Sequence, residues 1–250
     1  MDHSITRRGS LCWYKKEEVG LIAINDCFFL EQGIYQLIRK FRSHKNYVDI
    51  VDLFLETTQK TVYGQSLDLL VSPTGQKVDL NKFDIDRYLT IAKYKTAYYS
   101  CSLPIRLAFY LCEIDKEDLH LKIEDLMSKV GIFLQIQDDY LDAFGDPKVI
   151  GKIGTDIQDG KCCWPIVMSL KLATNDQKEI LYENYGIDNE DCVQKVKEIY
   201  KELNIEKLFK DHEDQLYKEL MVLFNRICEQ TNLPESIFKF QVDNLYKRNH

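Results

Sequence analysis

From about Lys116 to Phe144 a single helical pattern runs through the sequence, with Asp115 and Asp118 at N-cap and third-position spacing ahead of it and Gly145, Asp146 and Pro147 to stop it. At roughly 1.5 Å per residue such a helix spans about 40–45 Å. A helix of that length demands a large bundle to cover it. Near its end it carries Gln135, Asp138, Asp139 and Asp142. Residues three and four apart share a helix face, so Asp142 stands above both other acids and Gln135 lies one turn below Asp138. Like charges so placed oppose one another by roughly 0.2–0.5 kcal/mol per pair. Phe133, Leu134, Ile136, Tyr140, Leu141 and Phe144 surround them with apolar surface, so the stripe calls for cations rather than open water. Clustered carboxylates suit a hard cation such as Mg²⁺, shared with phosphate oxygens.

The remaining periodicity is also helical. Patterns run over 18–43 and 48–71, from Asp84 onward, from Asp156 onward, and over 175–185, 190–203, 205–229 and 234–247. Pro104 interrupts the third pattern, which predicts a kink around Ser100. Pro165 suits the first turns of the helix expected from Asp156. No segment sustains period-2 alternation. With only 11 glycines and 5 prolines in 250 residues, the expectation is an all-α, single-domain chain over 1–250.

Composition narrows the function. The net charge of −7 argues against nucleic acid as a partner. Eight scattered cysteines without a CxxC pair indicate buried thiols in a reducing compartment, not a disulfide framework. No apolar run is long enough to cross a membrane, and residues 1–8 lack the apolar core of a secretory signal. Lys95, Lys152 and Lys161 lie on elements expected near the acid helix, where ammonium groups could balance diphosphate charge, although each taken singly reads as a solvated surface lysine. Gly151, Lys152 and Gly154 form a glycine-bearing loop able to cradle phosphate, although the spacing differs from that of a nucleotide-hydrolase loop. Arg7 and Arg8 could grip phosphate, or simply form a basic turn.

Together these residues resemble the farnesyl diphosphate synthases among the trans-isoprenyl diphosphate synthases. The most specific block runs from Phe133 through Asp138, Asp139, Asp142 and Pro147 to Gly151, Gly154, Asp156 and Lys161, and is similar to the family's second aspartate-rich motif with its lysine loop. Gly64–Asp68, Lys93–Thr96 and Tyr246–Arg248 match further blocks. The resemblance implies an isoprenoid-synthase bundle that condenses isopentenyl diphosphate with dimethylallyl or geranyl diphosphate, using three Mg²⁺ ions, in a cytoplasmic homodimer. By that resemblance Asp138 is a direct metal ligand, while Asp139 and Asp142 act through metal-bound water. Arg7, Lys95, Lys152 and Gln135 hold the allylic diphosphate, and Lys161 belongs to the same diphosphate-binding set. Arg8 and Arg248 hold isopentenyl diphosphate. Oxygens of Lys95 and Thr96 face the allylic cation. Asp2 corresponds to the last acid of the first motif, DDxxD, so the chain is expected to begin inside that motif, with the first helices of the bundle missing. A terpene synthase derived from this family, or an inactive homologue acting as a dimer subunit, are the competing readings.

Overall fold

The computed structural model describes residues 5–7, 9–73, 76–151, 154–231 and 233–246. Asp2, Arg8, Lys152 and Arg248 lie outside the described residues, and Arg7 is described by its backbone alone. The fold is all-α. Among the described residues the only strands are the two-residue β1 (Thr6–Arg7) and β2 (Ser10–Leu11), an antiparallel hairpin ahead of the helices. Helix α1 (Ile22–Ile38) is followed by α2 (Tyr47–Val71), α3 (Ile85–Ala92), a π-helix (Lys93–Ser102) and α4 (Leu103–Leu111). Then come α5 (Glu117–Phe144), the single turn α6 (Pro147–Ile150), α7 (Trp164–Leu172), α8 (Asn175–Asn184), α9 (Glu190–Glu202), α10 (Ile205–Thr231) and α11 (Ser236–Leu245).

Helix α5 is the axis of the molecule. Its first half packs Ile123, Leu126, Met127, Val130 and Phe133 against α4, α10 and α11. Its second half packs Ile136 and Ala143 against α3, α7, α8 and α9, around Tyr88, Trp164 and Tyr200. Two apolar clusters thus share one helix, which places the acid stripe at the deep end of the bundle.

Pro104 does not produce a point kink at Ser100. It stands in the first turn of α4, and the ten residues before that helix are wound as a π-helix, with the Leu103 N–H reaching back five residues to the Tyr98 carbonyl. The wider winding spreads over ten residues the mismatch that proline forces on the preceding turn. Glycines accommodate its girth on both sides. A Cβ on Gly64 of α2 would stand 2.1 Å from the Lys95 nitrogen, and one on Gly131 of α5 would stand 2.3 Å from the Ala97 Cα. A charged girdle adds to this grip. Lys60 of α2 reaches Glu124 of α5 at 3.0 Å and lies 4.2 Å over the Tyr98 ring, and Arg106 of α4 joins Glu124.

Two further expectations change. Asp115 does not cap α5; its carboxylate accepts from Lys45 at 2.7 Å, and α5 begins after Lys116 without a side-chain cap. Residues 156–160 form a turn rather than a helix, so Lys161 precedes α7, which starts at Trp164 with Pro165 in its first turn. Helix α1 has apolar residues all round, yet only Ile38 is buried; Phe28, Phe29 and Leu30 are each more than 60% exposed. Periodicity therefore marks the helix without indicating what covers it.

Candidate active site

The site forms where α2, the π-helix, the second half of α5 and the loop before α7 converge. At its base is Asp68 of α2, 3% exposed. Its Oδ2 accepts from Lys95 Nζ and Lys161 Nζ, each at 3.0 Å. Burial by itself would raise the Asp68 carboxyl, but the two ammonium groups prevail and hold it below the ordinary carboxylate range. Two cations around one carboxylate leave a surplus positive charge. Lys161 is 9% exposed, whereas the Lys95 side chain is 27% exposed. Lys95 is therefore the ammonium that an anion from solvent meets.

A second chain of contacts crosses the site. The Thr96 hydroxyl donates to Gln135 Oε1, and Gln135 Nε2 donates to Asp139 Oδ1 at 2.7 Å. Asp139 Oδ2 accepts the Trp164 backbone N–H at 2.9 Å. Because the Gln135 nitrogen is committed to Asp139, its oxygen is turned toward Thr96. Asp139 also satisfies an N–H at the start of α7, where helices leave donors unpaired. Burial pushes the Asp139 carboxyl up to about 7, against the hydrogen bonds from Trp164 and Gln135 that favour its ionised form. Tyr88, fully enclosed beside it, has a hydroxyl raised by burial and by the Asp139 charge, although the two oxygens are outside hydrogen-bond geometry.

The third acid, Asp142, holds the loop. Its Oδ1 accepts the Asp156 N–H at 3.0 Å, and a Cβ on Gly154 would come within 1.9 Å of its carbonyl oxygen, so glycine alone fits that crossing. Tyr185 of the α8–α9 connection secures the other end, donating to the Lys161 carbonyl at 2.6 Å. Asp138 is half-buried on α5, one turn before Asp142.

The structure thus brings together Lys95, Thr96, Gln135, Asp139 and Lys161, with Asp138 and Asp142 on the same helix. Asp138 and Asp142 are half-buried, while Asp139 is turned inward. Among the described residues no three acids, histidines or cysteines are grouped as a protein-only metal cage. The donor set fits an ion held by one or two carboxylates and shared with phosphate oxygens. Asp68, Tyr88 and Tyr185 received no role from sequence reasoning. Asp68 had two visible signals, its place in the Gly64–Asp68 block and its position between Leu67 and Leu69. The eight cysteines are free, and Cys101, Cys162 and Cys163 are buried, with burial pushing the Cys162 thiol up to about 12. Cys27 and Cys112 are exposed, contrary to the expectation of buried thiols throughout.

The family model described as polyprenyl synthetase matches residues 1–203. The chain belongs to the polyprenyl synthetase family. It is 45% identical over 249 residues to the farnesyl pyrophosphate synthase of Gallus gallus, covering 99% of this chain and 67% of that one. The enzymes of that name from Homo sapiens and Saccharomyces cerevisiae are each 46% identical, over 99% of this chain and 59% and 70% of their own lengths. The acid helix, the Lys95–Thr96 π-helix and the 154–161 loop all lie inside the part that the polyprenyl synthetase model covers. No helix among the described residues is long and apolar enough to cross a membrane.

Proposed function

We propose that the chain works as a prenyltransferase of the farnesyl diphosphate synthase kind, joining isopentenyl diphosphate to dimethylallyl or geranyl diphosphate. The observation that carries this reading is 45–46% identity across 99% of the chain to enzymes of that name. The geometry supports it, because a buried carboxylate presents paired ammonium groups beside an acid-bearing helix.

In this reading the allylic diphosphate binds between Lys95 and the α5 face, with Arg7, Lys152, Lys161 and Gln135 completing its ligands. Asp138 is the direct metal ligand. Asp139 and Asp142 support it through water, since each carboxylate oxygen keeps a lone pair beyond the bond it accepts. Asp2, the remaining acid of the set, would add a further carboxylate to the metal. Mg²⁺, when bound, would neutralise the charge gathering on departing pyrophosphate. Lys95 aids that departure electrostatically, because its orientation is already set by Asp68. The Lys95 carbonyl and the Thr96 hydroxyl oxygen, with its proton turned to Gln135, face the allylic cation. Arg8 and Arg248 hold isopentenyl diphosphate.

The same reading makes 1–250 one domain, since a single helix threads both apolar clusters. The exposed apolar surface of α1 supports a homodimer, and eight free cysteines support a cytoplasmic location. The test is calorimetric titration of the chain with geranyl diphosphate with and without Mg²⁺, followed by product analysis with isopentenyl diphosphate. Mg²⁺-dependent binding and a fifteen-carbon product are expected. Asp138→Ala should weaken the Mg²⁺-dependent component at least about tenfold. Binding that ignores both Mg²⁺ and the substitution overturns the reading. Binding without turnover would favour an inactive subunit, and cyclised or hydrolysed product without condensation a terpene synthase.

A further inference from the structure

Gln137 stands inside the acid motif but points away from the site. One helical step separates it from Asp138, and it turns toward α10 and α11 instead. The residue is 1% exposed. Its Nε2 donates to Glu213 Oε1 on α10 at 3.0 Å and to the backbone carbonyl of Leu245, the last residue of α11, at 2.6 Å. Carbonyls at a helix C-terminus have no intrahelical partner, so a side-chain donor arriving from a residue 108 positions earlier does more than fill space. A methionine of similar length would fill the same space and spare the Gln137 oxygen its lack of a partner, but it would take this donor from the Glu213 carboxylate and the Leu245 carbonyl. The amide is retained with both bonds made. Around it the end of α11 is fastened by three further contacts. The Tyr246 hydroxyl donates to Asp214 at 2.7 Å, and its ring stacks on Tyr217 at 4.1 Å, while Tyr217 donates to Asp243 at 3.0 Å.

We propose that Gln137 is a positioning residue. It latches the end of α11 to the helix that carries Asp138 and so sets the affinity for isopentenyl diphosphate, which it does not touch. The assignment rests on the reading above, in which the residues following α11 hold that substrate. It couples two parts of the site through one buried amide, so the seat of the C-terminal segment and the orientation of the acid helix are shared.

The test uses the full chain with Gln137→Met, which keeps volume and removes the donor. Amide exchange across 236–246 should accelerate about tenfold, the scale of a lost hydrogen bond to a charged partner, with exchange in α8 and α9 unchanged. The Kd for isopentenyl diphosphate should rise by a similar factor, while that for geranyl diphosphate with Mg²⁺ stays within about twofold. Tyr217→Ala, on the half-exposed side, should shift both readouts the same way but less, and it stands in if the methionine variant does not fold. Unchanged exchange overturns the latch whatever the diphosphates do. Equal weakening of both diphosphates overturns the positioning role. Failure of the parent chain to bind either diphosphate overturns the functional reading, and the affinity claim with it, while the exchange arm still decides the latch.

Discussion

Replacing Asp68 with asparagine keeps the shape of the side chain but removes the anion that Lys95 and Lys161 share. Each Nζ–Oδ2 contact is 3.0 Å long. At an effective dielectric of about 20, a pair at that distance attracts by roughly 5 kcal/mol before desolvation and the repulsion between the two lysines are subtracted. The net loss is smaller. Stripping one partner from a buried pair costs about 3–5 kcal/mol, because the other charge stays buried and uncompensated. Here that charge is Lys161, since Lys95 can turn to solvent. Against a typical stability of about 5–15 kcal/mol the loss is a large fraction, and it corresponds to a melting-temperature drop of roughly 6–20 °C for a chain of this size. Circular-dichroism melts of the parent, Asp68→Asn, Lys161→Met and the double variant measure it. The double variant should melt above Asp68→Asn, because removing the stranded ammonium relieves the penalty. If Asp68→Asn melts within about 2 °C of the parent, or the double variant recovers nothing, the triad does not hold the site together.

Two other perturbations separate the parts of the site. Asp139 is pushed up to about 7 in the folded protein by burial, above its unfolded value near 4, so between those values the folded state holds a proton that the unfolded state has released. Its contribution is therefore full below about pH 4 and lost as the pH rises toward 7; Asp139→Asn should flatten that limb of a stability–pH curve measured by urea unfolding without Mg²⁺. An unchanged slope would reject the assignment. Asp68 is shifted the opposite way: its stabilisation is present above about pH 4 and falls away in acid, so Asp68→Asn should weaken the acid limb instead. Gly64→Ala places a methyl 2.1 Å from the Lys95 backbone nitrogen, which cannot yield as a side-chain tip would. It should cost at least about 1–3 kcal/mol in denaturant unfolding and weaken geranyl diphosphate binding by displacing Lys95, whereas a near-neutral result would contradict the packing described for the π-helix.

Most of the helices were legible because each buries one face, and burying a face imposes a period that survives in the sequence. α2, α5 and α8–α11 follow the expected ranges closely. Errors arose where a local signal had a stronger distant competitor. Asp115 has the chemistry of a cap, but Lys45, seventy residues away, claims its carboxylate. Pro104 announces a distortion, but its extent depends on Gly64 and Gly131, which let two neighbouring helices close around a wider winding. Asp139 and Asp142 are indistinguishable from Asp138 as members of a stripe. Only their surroundings show that one holds Gln135 and the start of α7, and the other holds the loop at Asp156.

The order of residues alone determined that this chain is a long-helix bundle with three acids and a glutamine along one stripe of its central helix, because periodicity and charge are local properties. Packing decided which acids face inward, that Asp68 gathers Lys95 and Lys161, and that Gln137 reaches the end of α11. Those pairings join residues 27 to 108 positions apart, and only a folded core brings such partners within hydrogen-bond distance and removes the water that would otherwise screen them.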